Sequence, residues 1–254
     1  MAGKILVVGS LHLDVIVHSS RLPKPDETLL GDKVSYRFGG KGGNQAVAAA
    51  KIDVQVFMAG RIGTDNFGKQ IYDTLSNQNI NLDGLKMVDE ATGMSVALIG
   101  SDGIYSAVVV SGANQTIDLS EITVPDDLTV LVLQNEINTD ANFEIIRKVP
   151  KSTFIILNAA PALTPNKDFF ERIDLLVVNQ LEAKMLLNEE PSIFNNLDAL
   201  RKLQNLGPKE VIITLGAEGY TGISKNGEIF SEPGIKVDVL STHGAGDSLS
   251  LIHI

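Results

Sequence analysis

Short apolar runs alternate along this chain with segments of helical periodicity, and this alternation restricts the possible folds more than any other feature. The apolar runs are rich in valine, isoleucine and leucine and lie at residues 5–8, 54–59, 128–133, 154–157, 175–178 and 211–215. Segments with a helical spacing of apolar residues lie between them, at residues 44–50, 67–76, 142–148, 180–187 and 197–206. We therefore expect an α/β fold, a doubly wound and mostly parallel sheet that is flanked by helices on both faces.

Two stretches interrupt this alternation, at residues 13–38 and 94–111. Both show strand-like alternation, for example at Val96 and Leu98, and neither contains a helical segment between its strands. We expect them to pair as a small antiparallel β-lid that stands off the main sheet. Residues 1–254 then form one domain, and the edge of the lid is a surface that a second copy can cover to make a homodimer.

Charge and composition argue against several classes of function. A formal net charge of −10 disfavours nucleic acid or an anionic membrane surface as a general partner. The chain has no cysteine, which excludes disulfides and thiolate chemistry and agrees with a cytoplasmic location. No apolar stretch approaches the length of a membrane span, and residues 5–8 are too few for the apolar region of a signal sequence.

Gly244-Ala245-Gly246-Asp247 is a glycine-rich turn that ends in a carboxylate, at the start of an expected helix. Glycines let backbone amides converge on an anion, and a helix N-terminus adds its positive dipole end. The carboxylate of Asp247 can accept a proton from a hydroxyl while the amides stabilise the charge that develops opposite it. This combination predicts phosphoryl transfer.

A second glycine-rich segment, residues 39–45, contains Lys41 and Asn44. Glycine follows Lys41, so the segment is not a Walker A loop. Its polar side chains favour a binding loop for a hydroxylated ligand, although a plain connector into a helix has the same spacing. Asp14 and His12 lie just past the first strand, where open α/β sheets bind ligands. There Asp14 either binds sugar hydroxyls or caps a turn, and His12 either donates to a ligand or is structural.

Asn179 and Glu182 stand at positions i and i+3 of a strand-to-helix junction. This spacing suits either a hydrated Mg²⁺ ion or a capping box, in which each side chain bonds to the backbone of the other residue. On spacing alone the capping box is the simpler interpretation. Thr214 and Gly216 end an apolar strand and either line a nucleotide pocket or form a plain turn.

The chain as a whole resembles the ribokinase family of carbohydrate kinases. The matching motifs occur in the family's order and approximate spacing: Gly9-Ser10 with Asp14, residues 39–45, Gly60-x-x-Gly63-x-Asp65-x-x-Gly68, Gly112-Ala113-Asn114, Glu136, Asn158, Asn179-x-x-Glu182, Thr214-x-Gly216 and Gly244-Ala245-Gly246-Asp247. The resemblance implies a central sheet with helices and a β-lid. It also implies transfer of the γ-phosphoryl group of ATP to a primary hydroxyl of a ribose-like or other furanose sugar, with Mg²⁺.

The same resemblance implies roles for individual residues. Asp247 matches the catalytic base, and the amides of Ala245 and Gly246, which follow Gly244, match the anion hole. The positions that match the sugar site are His12, Asp14, Gly40, Lys41, Asn44 and Glu136. Asn179 and Glu182 match the metal and phosphate pair. The positions that match nucleotide contacts are Asn179, Thr214 and Gly216.

Some features depart from the family pattern. His12 stands where ribokinases carry an asparagine that contacts the sugar, which argues against strict ribose specificity. Ser241 replaces an aspartate in a segment linked to a monovalent cation, which argues against activation by K⁺. The family continues past Asp247 with helices that complete the adenine pocket, so we expect a C-terminally short form that binds ATP weakly. The alternatives to a furanose kinase are a nucleoside kinase of the same family and a truncated, non-catalytic sugar-binding remnant.

Overall fold

The strands and helices follow the predicted alternation over most of the chain. The structure is a computed structural model that describes residues 3–102, 104–164, 166–189, 195–236 and 245–249. The strands are β1 (Lys4–Val8), β2 (His12–Ser19), β3 (Lys33–Gly39), β4 (Gln55–Gly63), β5 (Ile80–Val88), β6 (Met94–Gly100), β7 (Tyr105–Val110), β8 (Val130–Gln134), β9 (Phe154–Asn158), β10 (Leu175–Asn179), β11 (Glu210–Thr214), β12 (Tyr220–Ile223) and β13 (Ile229–Glu232). The helices are α1 (Lys41–Ala49), α2 (Asn66–Ser76), α3 (Thr139–Lys148), α4 (Lys167–Phe170), α5 (Gln180–Leu187), α6 (Asn196–Asn205) and α7 (Ala245–Leu249). Within the described ranges, no helix is both long and apolar enough to cross a membrane.

The main sheet has nine strands in the order β13-β12-β11-β10-β9-β8-β1-β4-β5. The strands from β11 to β5 pair in parallel, and β12 and β13 add an antiparallel edge. Successive residues of β1 face opposite sides: Ile5 and Val7 pack with α1 and α2, whereas Leu6 and Val8 pack with α3, α5 and α6. Helices therefore cover both faces of the sheet, which confirms the predicted doubly wound α/β fold.

Some elements differ from the prediction for identifiable reasons. Helix α1 begins at Lys41 rather than at Asn44, because its first turn contains glycines that carry no side chain to reveal a helical period. A Cβ atom on Gly42 would lie 2.7 Å from the carbonyl carbon of Gly9, so the glycine lets α1 approach the loop after β1. Strands β5, β12 and β13 were not predicted, because they lie at or next to an edge of the sheet and lack a continuous apolar run.

A separate sheet of four strands, in the order β3-β2-β6-β7, forms the lid. Strand β2 pairs antiparallel with β3, and β6 pairs antiparallel with β7. The two pairs are joined in parallel through β2 and β6. Two strands of the main sheet, β4 and β5, separate these pairs along the chain. The predicted small lid is present. Its two outer strand pairs are antiparallel, and its central pair, β2 with β6, is parallel.

Candidate active site

The carboxyl ends of the parallel strands carry the polar residues of the candidate site. Ser10 follows β1, Glu136 follows β8, and the last residues of β9, β10 and β11 are Asn158, Asn179 and Thr214. These strands are neighbours in the sheet, so their ends meet along one edge, where open α/β sheets bind ligands. The lid faces this edge across a cleft.

The cleft contains adjoining cavities that share wall residues. A lid-side cavity of about 240 Å³ is lined by all the residues predicted to bind substrate, namely His12, Asp14, Gly40, Lys41, Asn44 and Glu136. A sheet-side cavity of about 190 Å³ is lined by residues predicted to meet nucleotide, metal or phosphate, namely Asn179, Glu182, Thr214 and Gly246. Lys41 and Asp247 line both cavities. A further cavity of about 490 Å³ adjoins the lid-side cavity at His12, Lys41 and Glu136.

Asp14 is held in place by the lid. Its side chain is buried, and the Ser95 hydroxyl on the paired strand β6 donates a hydrogen bond to its Oδ1 atom. Gly39 on the other neighbouring strand packs against the carboxylate so closely that a Cβ atom there would overlap Oδ2. The lid thus presents a buried, oriented carboxylate to the cavity. This arrangement suits a residue that binds ligand hydroxyls better than a residue that caps a turn.

Glu136 and Lys41 form the charged wall between the cavities. The Oε2 atom of Glu136 accepts hydrogen bonds from the Ser10 hydroxyl at 2.5 Å and from the backbone amide of Lys41 at 3.1 Å. The Lys41 ammonium lies 3.6 Å from Oε1 of Glu136. Burial alone would lower the pKa of this ammonium, but the carboxylates of Glu136, Asp247 and Glu182 outweigh it and raise the pKa. The ammonium is therefore charged at neutral pH.

His12 lies against this wall in the neutral form. Its side chain is 3% exposed, and its Nδ1 atom is 4.0 Å from Glu136 Oε2. Burial lowers the pKa of His12 below its ordinary value, although the charges of Glu136 and Asp14 oppose the shift. Its Nε2 atom is buried and has no hydrogen-bond partner among the described residues.

Asp247 is the carboxylate that both cavities share. It is 7% exposed and lies on α7, which packs against α1. Asn44 Nδ2 donates to its Oδ2 atom at 2.9 Å, and Asn158 Nδ2 donates to its Oδ1 atom at 3.3 Å. Ala245 and Gly246 are the first residues of α7, so their amides belong to the helix N-terminus. Gly244 and Ser241, for which roles were also predicted, lie outside the described residues.

Asn179 and Glu182 form the capping box that their spacing allowed. The Glu182 amide donates to Asn179 Oδ1 and the Asn179 amide donates to Glu182 Oε2, each at 2.8 Å. Burial raises the pKa of the Glu182 carboxyl, against the opposing effect of the Asn179 amide. Thr214 pairs with Asn179 in the sheet and lines the same cavity, whereas Gly216 begins a 3₁₀ turn at φ 61° and is not on the walls of the cavities described above.

The oxygen donors of Asn179 and Glu182 are of the type that Mg²⁺ prefers. Within the described parts of the chain, no three acidic, histidine or cysteine side chains converge as a metal-binding group. A Mg²⁺ ion held by these two residues would therefore take its other ligands from phosphate and water, as is usual for this ion in phosphoryl-transfer sites.

Sequence reasoning assigned no role to the residues that orient the predicted side chains, although Ser10 and Asn158 belong to the matching motifs. Ser10 and Ser95 donate to Glu136 and Asp14 across sequence separations of 126 and 81 residues. Asn158 was a motif position with no predicted role, and its partner Asp247 is 89 residues away. Such pairs leave no local pattern, because the partners meet only when the strands are ordered in the sheet.

Other motif residues prove to be structural. The Asp65 carboxylate caps α2 by accepting from the Gly68 amide at 2.8 Å, and it also accepts from the Thr92 amide at 2.8 Å and hydroxyl at 2.7 Å. Thr92 lies just before β6, so this motif anchors the base of the lid to α2. The Asn114 side chain bonds to both the amide and the carbonyl of Leu11, which fixes the loop between β1 and β2.

Comparisons with known proteins identify the family of this chain. A family model described as pfkB family carbohydrate kinase matches residues 2–250. The ribokinase of Schizosaccharomyces pombe is 33% identical over 261 residues, which cover 96% of this chain and 82% of that protein. The ribokinase of Arabidopsis thaliana is 33% identical over 263 residues, which cover 98% of this chain and 69% of that protein. The solved structure of Arabidopsis thaliana ribokinase complexed with ribose and ATP matches with a TM-score of 0.87 and 30% identity, and the match covers 98% of this chain and 84% of that chain. The chain therefore belongs to the pfkB family of carbohydrate kinases, phosphotransferases that act on an alcohol group.

Proposed function

We propose that this protein transfers the γ-phosphoryl group of ATP to a primary hydroxyl of a ribose-like furanose. The single observation that carries the proposal is the position of Asp247, whose carboxylate lines both the lid-side and the sheet-side cavity. A sugar in the lid-side cavity and a triphosphate in the sheet-side cavity would meet at this carboxylate. The structural likeness to a ribokinase complexed with ribose and ATP supports the same pair of ligands.

The residues of the cleft then have defined tasks. Asp14, Asn44 and Glu136 bind sugar hydroxyls, and Asp247 accepts the proton of the reacting hydroxyl. The Lys41 ammonium and the amides at the start of α7 offset the negative charge on the transferred group. Asn179 and Glu182 hold Mg²⁺, and Thr214 and Gly216 contact the nucleotide. When bound, the ion supplies charge neutralisation on the phosphates.

Finer features of the proposal come from the sequence and from the exposed surface of the lid. Ser241 carries no charge, which supports turnover that does not depend on K⁺. Use of ATP and a chain without cysteine support a cytoplasmic location. The exposed apolar face of the lid supports a homodimer.

An ADP-release assay with ribose, 2-deoxyribose, fructose and a ribonucleoside as acceptors tests the proposal. We expect turnover with a free furanose, and we expect Asp247→Asn to lower kcat by about 10²–10⁴-fold, because the proton acceptor is lost. Calorimetry should give a sugar Kd within about threefold of wild type for this variant, since the other sugar contacts remain.

Asp174→Asn is the matched control. Asp174 is as buried as Asp247, at 6% against 7% exposure, but it precedes β10 at the opposite end of the sheet. This variant should keep its kcat. Preference for the ribonucleoside would support the nucleoside-kinase alternative, and sugar binding without ADP release would support the non-catalytic one. A kcat for Asp247→Asn near that of wild type would refute the role of Asp247.

A further inference from the structure

Ser10 is fully buried and does not line the cavities described above. Its hydroxyl nevertheless bonds to the carboxylate of Glu136, which lines the lid-side cavity and the adjoining cavity of about 490 Å³. The hydroxyl donates to Glu136 Oε2 at 2.5 Å. The backbone of Ser10 is held on both sides, because its carbonyl accepts from the Gly43 amide at 3.0 Å and its amide donates to Gln134 Oε1 at 3.4 Å. The position of the Ser10 backbone is therefore fixed, and its hydroxyl can orient Glu136.

Glu136 is subject to two competing attractions. Its Oε2 atom is held by neutral donors, the Ser10 hydroxyl and the Lys41 amide. The Lys41 ammonium, 3.6 Å from Oε1, attracts the carboxylate towards the other side. At 3.6 Å this ion pair is longer than a normal hydrogen bond, so the two neutral donors hold Glu136 more closely than the ammonium does. The neutral donors thus fix Oε2 on the wall of the lid-side cavity, while Oε1 takes part in a long ion pair with Lys41.

We propose that Ser10 is a positioning residue, which sets the conformation of Glu136 for sugar binding without touching the sugar itself. The proposal rests on the proposed function of the lid-side cavity as the sugar site. Without the hydroxyl, Oε2 keeps one donor, and the attraction of the Lys41 ammonium is no longer balanced. Glu136 then moves closer to Lys41, and a sugar hydroxyl must compete with the ammonium for the carboxylate.

Calorimetric titration with D-ribose and, separately, with ATP tests the proposal. Ser10→Ala should raise the Kd for D-ribose by about tenfold, since hydrogen bonds to charged groups are stronger than neutral ones. The Kd for ATP should change less than the Kd for D-ribose, because Ser10 does not line the sheet-side cavity and can affect it only through Lys41, which lines both cavities. In turnover, the KM for sugar should rise by a similar factor, with a smaller effect on kcat.

Ser19→Ala is the matched control. Ser19 is also buried, and its hydroxyl donates to the Arg21 carbonyl at 2.7 Å. It lies at the end of β2 that is far from the cleft. The control variant should leave both Kd values unchanged. If Ser10→Ala does not fold, Ser10→Cys keeps nearly the same shape with a weaker donor and should raise the sugar Kd in the same direction. A normal sugar Kd in the folded Ser10 variant overturns the proposal, and so does an equal loss of sugar and ATP binding.

A double-mutant cycle with Glu136→Gln separates positioning from a general structural role. The neutral amide of glutamine is attracted to the Lys41 ammonium less strongly than a carboxylate is, so in this background Ser10→Ala should raise the sugar Kd by less than about threefold. An equal penalty in both backgrounds would show that Ser10 does not act through Glu136, and would overturn the proposal.

Failure of the proposed function gives a different result. If wild type binds D-ribose but releases no ADP, the kinase assignment fails. The role of Ser10 can then still be tested by the Kd for D-ribose. If wild type phosphorylates D-ribose and Ser10→Ala has no effect on its Kd, the positioning role alone fails. If no acceptor of the panel binds to wild type, both the proposed function and the positioning role of Ser10 are overturned.

Discussion

At the residue scale, the carboxylates of the cleft accept hydrogen bonds from neutral donors, and Glu136 also forms an ion pair with Lys41. Asp14 and Glu136 each accept from a serine hydroxyl, and Asp247 accepts from two side-chain amides. Neutral donors orient a carboxylate without cancelling its charge, so it can still accept a hydrogen bond from a ligand hydroxyl. Among the described residues on the walls of these cavities, Lys41 is the one cation. The cleft therefore combines several acceptors for hydroxyls with a single charge for phosphate.

His12 gives the protein a specific dependence on pH. Burial lowers the pKa of His12 below its ordinary value of 6.5, although Glu136 and Asp14 oppose the shift. As the pH falls below the ordinary value, the unfolded chain gains a proton at this position before the folded chain does, so the free energy of unfolding decreases. Urea unfolding at about pH 8 and about pH 5.5 should show His12→Asn losing less stability on acidification than wild type does.

His18→Asn is the control for this comparison, because His18 lies on the same strand but is only half-buried. It should lose stability on acidification as wild type does. Identical losses for wild type and both variants would contradict the account of His12.

At the element scale, the lid is joined to the body of the protein on the side of the cleft. Strands β2 and β6 carry Asp14 and Ser95 towards the lid-side cavity, and the contacts of Asp65 with Thr92 anchor the start of β6 to α2. A ligand that bonds to Asp14 and to the ends of the main-sheet strands would therefore join the two sheets and exclude water from between them.

Hydrogen exchange with and without D-ribose measures this effect. We expect peptides that cover β2–β3 and β6–β7 to gain protection when the sugar binds, because bridging contacts reduce local opening of the lid. The β12–β13 hairpin, at the far edge of the main sheet, is the internal control and should not change. Protection confined to other segments would contradict the covering role of the lid.

At the scale of the whole molecule, the lid has an apolar face that nothing in the described chain covers completely. Side chains that alternate with Asp14, Ser95 and Val109 point away from the cleft. They include Val34, Tyr36, Val96, Val108 and Val110, which are 50%, 56%, 38%, 67% and 56% exposed. An exposed apolar sheet of this kind is typical of an interface, and the proposed occupant is the lid of a second copy.

Sedimentation velocity at micromolar concentration tests the homodimer. Val108→Asp places a charge on this face next to its cross-strand neighbour Val96, so we expect it to shift the protein from dimer to monomer. Ile52→Asp, at a position 45% exposed in the turn after α1, is the matched control and should remain dimeric. A monomeric wild type, or a dimer that Val108→Asp does not affect, would rule out the lid interface.

The sequence alone was sufficient for the fold class and for the family. Apolar runs such as residues 175–178 predict buried parallel strands, because a strand covered on both faces must be apolar at every position. Glycine-rich segments such as residues 39–45 were recognisable because glycine marks places where backbone must approach a neighbour closely. The exact start of α1 and the edge strand β5 were not predictable, because neither carries a distinctive local pattern.

Only the tertiary structure decided how the site is assembled. It showed that Asn179 and Glu182 form a capping box, that Asp65 anchors the lid, and that Asp247 lies in the wall of both cavities. It also paired Ser10 with Glu136 across 126 residues of sequence. The physical reason is that local periodicity records which faces of an element are buried, whereas hydrogen-bond partners are chosen by the order of the strands in the sheet.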